Sequence, residues 1–219
     1  MFDIIKRIIL CIVALSLFAC AVPAKKDYTA YNQSKPQSIL VLPPLNNSPD
    51  IHASYSMLST VTQPLSEAGY YVFPVALVDQ TFKENGMSNP GEMHLAPIAK
   101  IREVFGADSA LYITVTKYGA SYHLVSSDVI VTASAKLIDV RNGQLLWEGT
   151  ASASDAEGRN NQGGLAAALI TAVVKQVVSN AVGDGQSHKI ARIASTRLLT
   201  AQPNGLLYGP RSPLYGKDN

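Results

Sequence analysis

Apolar and polar positions alternate along this chain with two distinct periods. Ile39-Leu40-Val41-Leu42 is a continuous apolar run closed by Pro43-Pro44. Unbroken apolarity over four residues predicts a strand buried on both faces. From Ser54 to Ala68 the pattern changes: Tyr55, Leu58, Val61, Thr62 and Leu65 recur at helical spacing until Gly69. Pro64, inside that stretch, predicts a kink or an early end. Tyr70–Pro74 reads as a short strand, Leu77–Asn85 as a helix stopped by Gly86, and Pro97–Phe105 as a helix stopped by Gly106.

Period two then takes over. Leu111, Ile113 and Val115 alternate with Tyr112, Thr114 and Thr116, and a turn is expected near Tyr118–His123. Val129, Val131, Ala133, Ala135 and Leu137 line one face of the next strand. Thr132, Ser134 and Lys136 line the other, which predicts partial exposure. Arg141-Asn142-Gly143 is a hairpin signal, because Asn-Gly supplies the positive φ of a tight turn. The return strand, Gln144–Ser152, sets Leu145, Trp147, Gly149 and Ala151 on one face.

After a polar loop, Leu165–Val182 is helical with a narrow polar stripe at Thr171, Lys175 and Ser179. Its apolar circumference, including Leu165, Leu169, Ile170, Val173, Val174 and Val177, must pack in the core or against a partner. Ser187 is a cap for a last helix reaching Leu199. The expected fold is α/β: a single-domain sandwich, its mixed sheet of about five strands, with an antiparallel hairpin at 124–154, packed with helices.

The chain begins differently. Lys6 and Arg7 precede an apolar run of eleven residues, Ile8–Phe18, broken only by Ser16. That length fits the 7–15 residues of a signal peptide and falls short of the ~20 needed to span a bilayer. Ala19 then precedes Cys20, the arrangement of a bacterial lipoprotein cleavage site, although Phe18 is bulkier than usual there. An ordinary secretory signal cut after Ala19 or Ala21 is the alternative. On the lipoprotein reading, residues 1–19 are removed and Cys20 carries the lipid. Residues 20–36 form the lipidated N-terminus and tether, 37–200 the α/β domain, and 201–219 a Pro/Gly/Tyr-rich tail. Ala21, where an aspartate would favour inner-membrane retention, points to the outer membrane, with the domain on its periplasmic face.

Removal of the signal also takes Cys11, so the mature chain keeps one cysteine and forms no internal disulfide. Lys and Arg total 18 and Asp and Glu 16. The mature net charge is about +1, which gives no electrostatic case for nucleic acid.

Five segments resemble a known family: Ser38–Ser48 (SILVLPPLNNS), Gln63–Val78 (QPLSEAGYYVFPVALV), Phe105–Tyr112 (FGADSALY), Leu145–Gly149 (LLWEG) and Leu206–Gly216 (LLYGPRSPLYG). They are similar to a family of bacterial lipoproteins of unknown function that includes a neisserial genome-derived vaccine-candidate antigen. The resemblance implies a fold like the N-terminal α/β domain of TolB. It also implies an envelope assembly or transport role beside a lipoprotein similar to the curli secretion subunit CsgG. It supplies no catalytic residue.

The chain's own chemistry agrees with that silence. His52, His94, His123 and His188 show no paired metal-ligand spacing. Gly158–Gly163 has the outer spacing of a phosphate loop, but Gly164-Leu165 stands where Lys-Ser/Thr is required. No G-x-S-x-G or S-x-x-K occurs. No metal and no cofactor is expected. The function expected is a non-enzymatic, membrane-anchored interaction domain, partnered by further copies or by envelope lipoproteins through the 165–182 helix and the tail tyrosines Tyr208 and Tyr215. A periplasmic enzyme and a binder of small envelope glycans or lipids are the alternatives.

Overall fold

The computed structural model describes residues 26–122, 127–158 and 185–217. Along these run α1 (Thr29–Ser34), β1 (Ser38–Val41), β2 (Leu45–Asn46), α2 (Ala53–Glu67), β3 (Tyr71–Val72), α3 (Val75–Glu84), α4 (Pro90–His94), α5 (Ile98–Phe105), β4 (Ser109–Tyr122), β5 (Ser127–Asp139), β6 (Leu145–Ser154) and α6 (Gly185–Thr200). The six-stranded sheet is ordered β3-β1-β4-β5-β6, with β2 pairing to β4 off that path. β1 pairs in parallel with β3 and β4, and β4-β5-β6 is antiparallel. The mixed α/β sheet and the antiparallel set are as the periodicity predicts.

One face of the sheet is apolar from edge to edge. Ile39 and Val41, then Leu111, Ile113 and Val115, then Val131, Ala133 and Leu137 point toward α2 and α6 and are fully buried. The other face divides. Leu40, Leu42 and Ala110 are covered by Val78, Phe82, Met93 and Ile101 of α3, α4 and α5. Beyond β4 the same face becomes polar, and no described helix covers it.

Pro64 does not end its helix early, since α2 continues to Glu67. Proline lacks the N–H that would bond the carbonyl four residues back. The freed Thr60 carbonyl instead lies 3.3 Å from the Ser195 hydroxyl of α6. The turn expected near Tyr118–His123 is displaced as well: β4 continues through Gly119, at φ +101°, as far as Tyr122. Two bulges interrupt the alternation. Thr116 is the extra residue of β4 opposite β5, and Leu146 the extra residue of β6. The second puts both Leu146 and Trp147 in the core and turns Leu145 to the opposite face, 42% exposed, so Leu145 does not share the Trp147 face as expected.

Two segments read as loose are built into the fold. Within 20–36, residues Thr29–Ser34 are helical and Tyr31 is buried. Within 201–219, Leu206 is buried in the main core.

Candidate functional site

Two of the concave sites among the described residues gather polar or aromatic side chains. The first is a groove of about 950 Å³ on the uncovered half of the sheet. Its floor follows from the even-numbered positions of the strands, since the odd ones face α2 and α6. Thr114, Ser134 and Thr150 pair across β4, β5 and β6 in one row, and Tyr112, Lys136 and Glu148 form the next. The wall is the turn from His94 to Ile98, and Lys26 stands at the rim.

His94 ends α4, which the Asn89–Glu92 capping box starts. Its Nε2 lies 2.9 Å from the Pro43 carbonyl, so the proton sits on that nitrogen. The ring meets Tyr112 edge-on at 5.2 Å. Burial lowers the His94 pKa against the opposing effect of the carbonyl, and burial raises that of the Tyr112 phenol. Both are therefore neutral at pH 7, and the charges of the groove are Lys26, Lys136 and Glu148. Burial lowers the Lys26 pKa, while the Glu148 charge acts in the other direction. Among the described residues, no hydrogen bond joins Thr114, Ser134 or Thr150 to His94 or Glu148. These three side chains line the open groove.

The second site is smaller, about 480 Å³, and aromatic: Tyr31, Tyr70, Tyr208 and Tyr215 line it with Lys35, Pro36 and Leu207. It forms where the two ends of the described chain meet. The Tyr31 hydroxyl bonds that of Tyr70, which in turn donates to the Leu207 carbonyl at 2.6 Å. Arg211 lies 5.5 Å over the Tyr71 ring just outside. Tyr215 is 47% exposed at the mouth.

The C-terminal segment holds its position through backbone contacts. Gly209 N–H donates to the Ala68 carbonyl at 2.7 Å and Arg211 N–H to that of Gly69 at 3.1 Å. On the β6 side, Trp147 Nε1–H donates to the Asn204 carbonyl at 3.0 Å. The first described residue is fastened to the same turn. Lys26 N–H donates to Asn204 Oδ1 at 3.3 Å, and its ammonium lies 5.0 Å over the Trp147 ring. Tyr28 adds a hydrogen bond of 2.5 Å from its hydroxyl to the Gly205 carbonyl.

Of the residues expected at an interface, Tyr208 and Tyr215 come together on the aromatic pocket. Leu165, Leu169, Ile170, Val173, Val174, Val177 and the lipidation candidate Cys20 lie outside the described residues. Sequence reasoning missed Tyr31, Tyr70 and the His94–Tyr112 wall. The polar alternation at Thr132, Ser134 and Lys136 was the one signal of an open sheet face. Among the described residues, no cluster of three or more His, Cys, Asp or Glu is placed to hold a metal, and no helix is long and apolar enough to cross a membrane.

Comparison with known proteins agrees with this architecture and with the resemblance in the five sequence segments. The family model described as "Putative lipoprotein GNA1162-like" matches residues 26–211. A relative from Neisseria meningitidis serogroup B (strain ATCC BAA-335 / MC58), "Putative lipoprotein NMB1124/NMB1162", is 47% identical over 201 residues, which is 90% of this chain and 92% of the relative. The crystal structure of lipoprotein GNA1162 from Neisseria meningitidis superposes with a TM-score of 0.54 at 50% identity, covering 65% of this chain and 98% of that one. Matched over most of its length by both the family model and a relative this similar, the chain belongs to the GNA1162-like lipoprotein family.

Proposed function

We propose that this protein is an outer-membrane lipoprotein, anchored through acyl chains on Cys20, that works without catalysis by presenting its α/β domain to other envelope proteins. The observation that carries the reading is the aromatic pocket. Four tyrosines converge there on a frame fixed by backbone hydrogen bonds. Tyr31 and Tyr70 are buried beneath, while Tyr208 and Tyr215 keep accessible surface, and tyrosines held this way supply contact area at little entropic cost, as interface anchors do. Membership of a lipoprotein family supports the anchor. Several acyl chains on one cysteine make it durable, since each buried methylene contributes ~0.8 kcal/mol.

The partner is a second copy or another envelope lipoprotein. A CsgG-like secretion lipoprotein is the finer assignment that the family resemblance implies, and the apolar 165–182 segment is the second proposed contact. The polar groove favours one alternative, recognition of a small hydroxylated envelope ligand.

In-cell photo-crosslinking tests the proposal. A photoreactive residue at position 215 is expected to capture a discrete envelope protein or a second copy, and one at position 77, on exposed α3, is not. No adduct from position 215, together with a monomeric purified protein, overturns the interaction role.

A further inference from the structure

The anchor reading leaves open which side of the domain meets the bilayer, and the structure supplies an answer. As a sequence, residues 21–36 read as a long flexible tether, with a reach of ~55 Å when extended. The fold removes most of that length. Lys26 is already pinned, through its N–H to Asn204 and its ammonium over Trp147. Tyr28 is bonded to Gly205, and Thr29–Ser34 is helical. Only the stretch from Cys20 to Lys26 remains outside, and its contour is at most ~21 Å.

We propose that the β6 edge and the mouth of the sheet groove face the headgroup layer of the membrane, held there by this short leash. The inference rests on lipidation of Cys20, and its geometry follows from where the described chain begins. Lys26 stands at the rim of the groove beside Glu148 and Thr150 of β6. The opposite edge of the sheet, β3 with Tyr71, lies four strand spacings away, about 19 Å across the order β3-β1-β4-β5-β6. A leash of at most ~21 Å holds Lys26, and with it β6, within that distance of the anchored cysteine, whereas Tyr71 can lie about 19 Å farther off.

The chemistry of the face suits that position. Its floor is made of hydroxyls, with one lysine and one carboxylate among them. Such a surface exchanges hydrogen bonds with hydrated headgroups. Tyr215, exposed at the mouth of the aromatic pocket, is left to protein partners.

The test uses the full lipidated protein in vesicles of phosphatidylethanolamine and phosphatidylglycerol. Thr150→Cys and Tyr71→Cys are each exposed positions, and with Cys20 in thioether linkage either gives one labelling site. A fluorophore at position 150 is expected to be quenched by a headgroup nitroxide lipid about threefold more strongly than one at position 71, given a leash of ~21 Å. A Gly/Ser insertion of about 20 residues between Ala21 and Val22 adds ~25 Å of coil and should remove the difference. Protein that floats with the vesicles but is quenched equally at both positions, or more strongly at 71, overturns the orientation and leaves the anchor standing. Protein that does not float overturns the anchor, and the orientation with it.

Discussion

Gly209 lies so close to Gly69 that neither position has room for a β-carbon. A Cβ on Gly209 would fall 2.6 Å from the Gly69 carbonyl oxygen, and one on Gly69 would fall 2.4 Å from Ser212 N. The contact is backbone on backbone, so no side chain can rotate out of the way. It fixes the C-terminal segment to the end of α2.

Gly209→Ala is therefore expected to cost about 1–3 kcal/mol, the range for overpacking a closed contact. Gly69→Ala should cost more, because its φ of +95° adds backbone strain to the clash. Gly86→Ala is the control: φ is +86° there, but nothing lies within 4 Å. Urea midpoints of the three variants should fall in the order Gly86→Ala mildest and Gly69→Ala most severe. Equal losses would mean that the clamp contributes nothing beyond backbone conformation.

Another glycine, on β6, accommodates an indole. A Cβ on Gly149 would sit 2.5 Å from Trp147 Cζ2, so the ring lies flat on the strand only because position 149 has no side chain. Trp147 is the single tryptophan, which makes its emission a direct reporter. Gly149→Ala should shift that emission to the red, break the Nε1–Asn204 bond and destabilise by about 1–3 kcal/mol. An unchanged spectrum would show that the indole has another place to go.

Acid stability should depend on Asp139. Its carboxylate is buried, and burial alone would raise its pKa. The Arg141 guanidinium and backbone N–H and the Ser34 hydroxyl outweigh that and hold it at about 2, against 3.8 for a free aspartate. A folded pKa below the unfolded one means stability present above pH 3.8 and lost as pH falls toward 2. At about 1.4 kcal/mol per unit this amounts to roughly 2 kcal/mol. Asp139→Asn should flatten that window in a pH series of denaturation midpoints. His94 acts in a higher one: its lowered pKa means that stability declines as pH drops below 6.5, and His94→Gln should remove that slope alone.

The anchor makes the most direct prediction in cells. Cys20→Ser replaces the sulfur that lipidation requires. The variant should leave the membrane fraction for the soluble periplasm, whereas the parent resists a salt wash. A variant that keeps its mature size and its membrane association would end the lipoprotein reading of this chain.

Much of the fold was legible because it is local or periodic. The β1 run, the α2 spacing and the Asn142-Gly143 turn, with Gly143 at φ +76°, all appear where the sequence expects them. What was illegible is non-local. The rescue of Pro64 depends on Ser195, more than a hundred residues away. The six residues of α1 are too few to show a period, and Tyr31 is their single buried residue. The Leu146 bulge shifts a register that strict alternation cannot anticipate. The candidate sites follow the same division. Tyr208 and Tyr215 stand out by composition, whereas Tyr31 and Tyr70 join them only through tertiary packing.

The first described residues are tied, through Lys26 and Tyr28, to the turn at Asn204-Gly205. If Cys20 carries the proposed lipid, tension on it is delivered first to this turn, and through Trp147 to the edge strand β6. On that reading the hydrogen bonds of Lys26 and Tyr28 take the load of the bilayer before any strand of the sheet does.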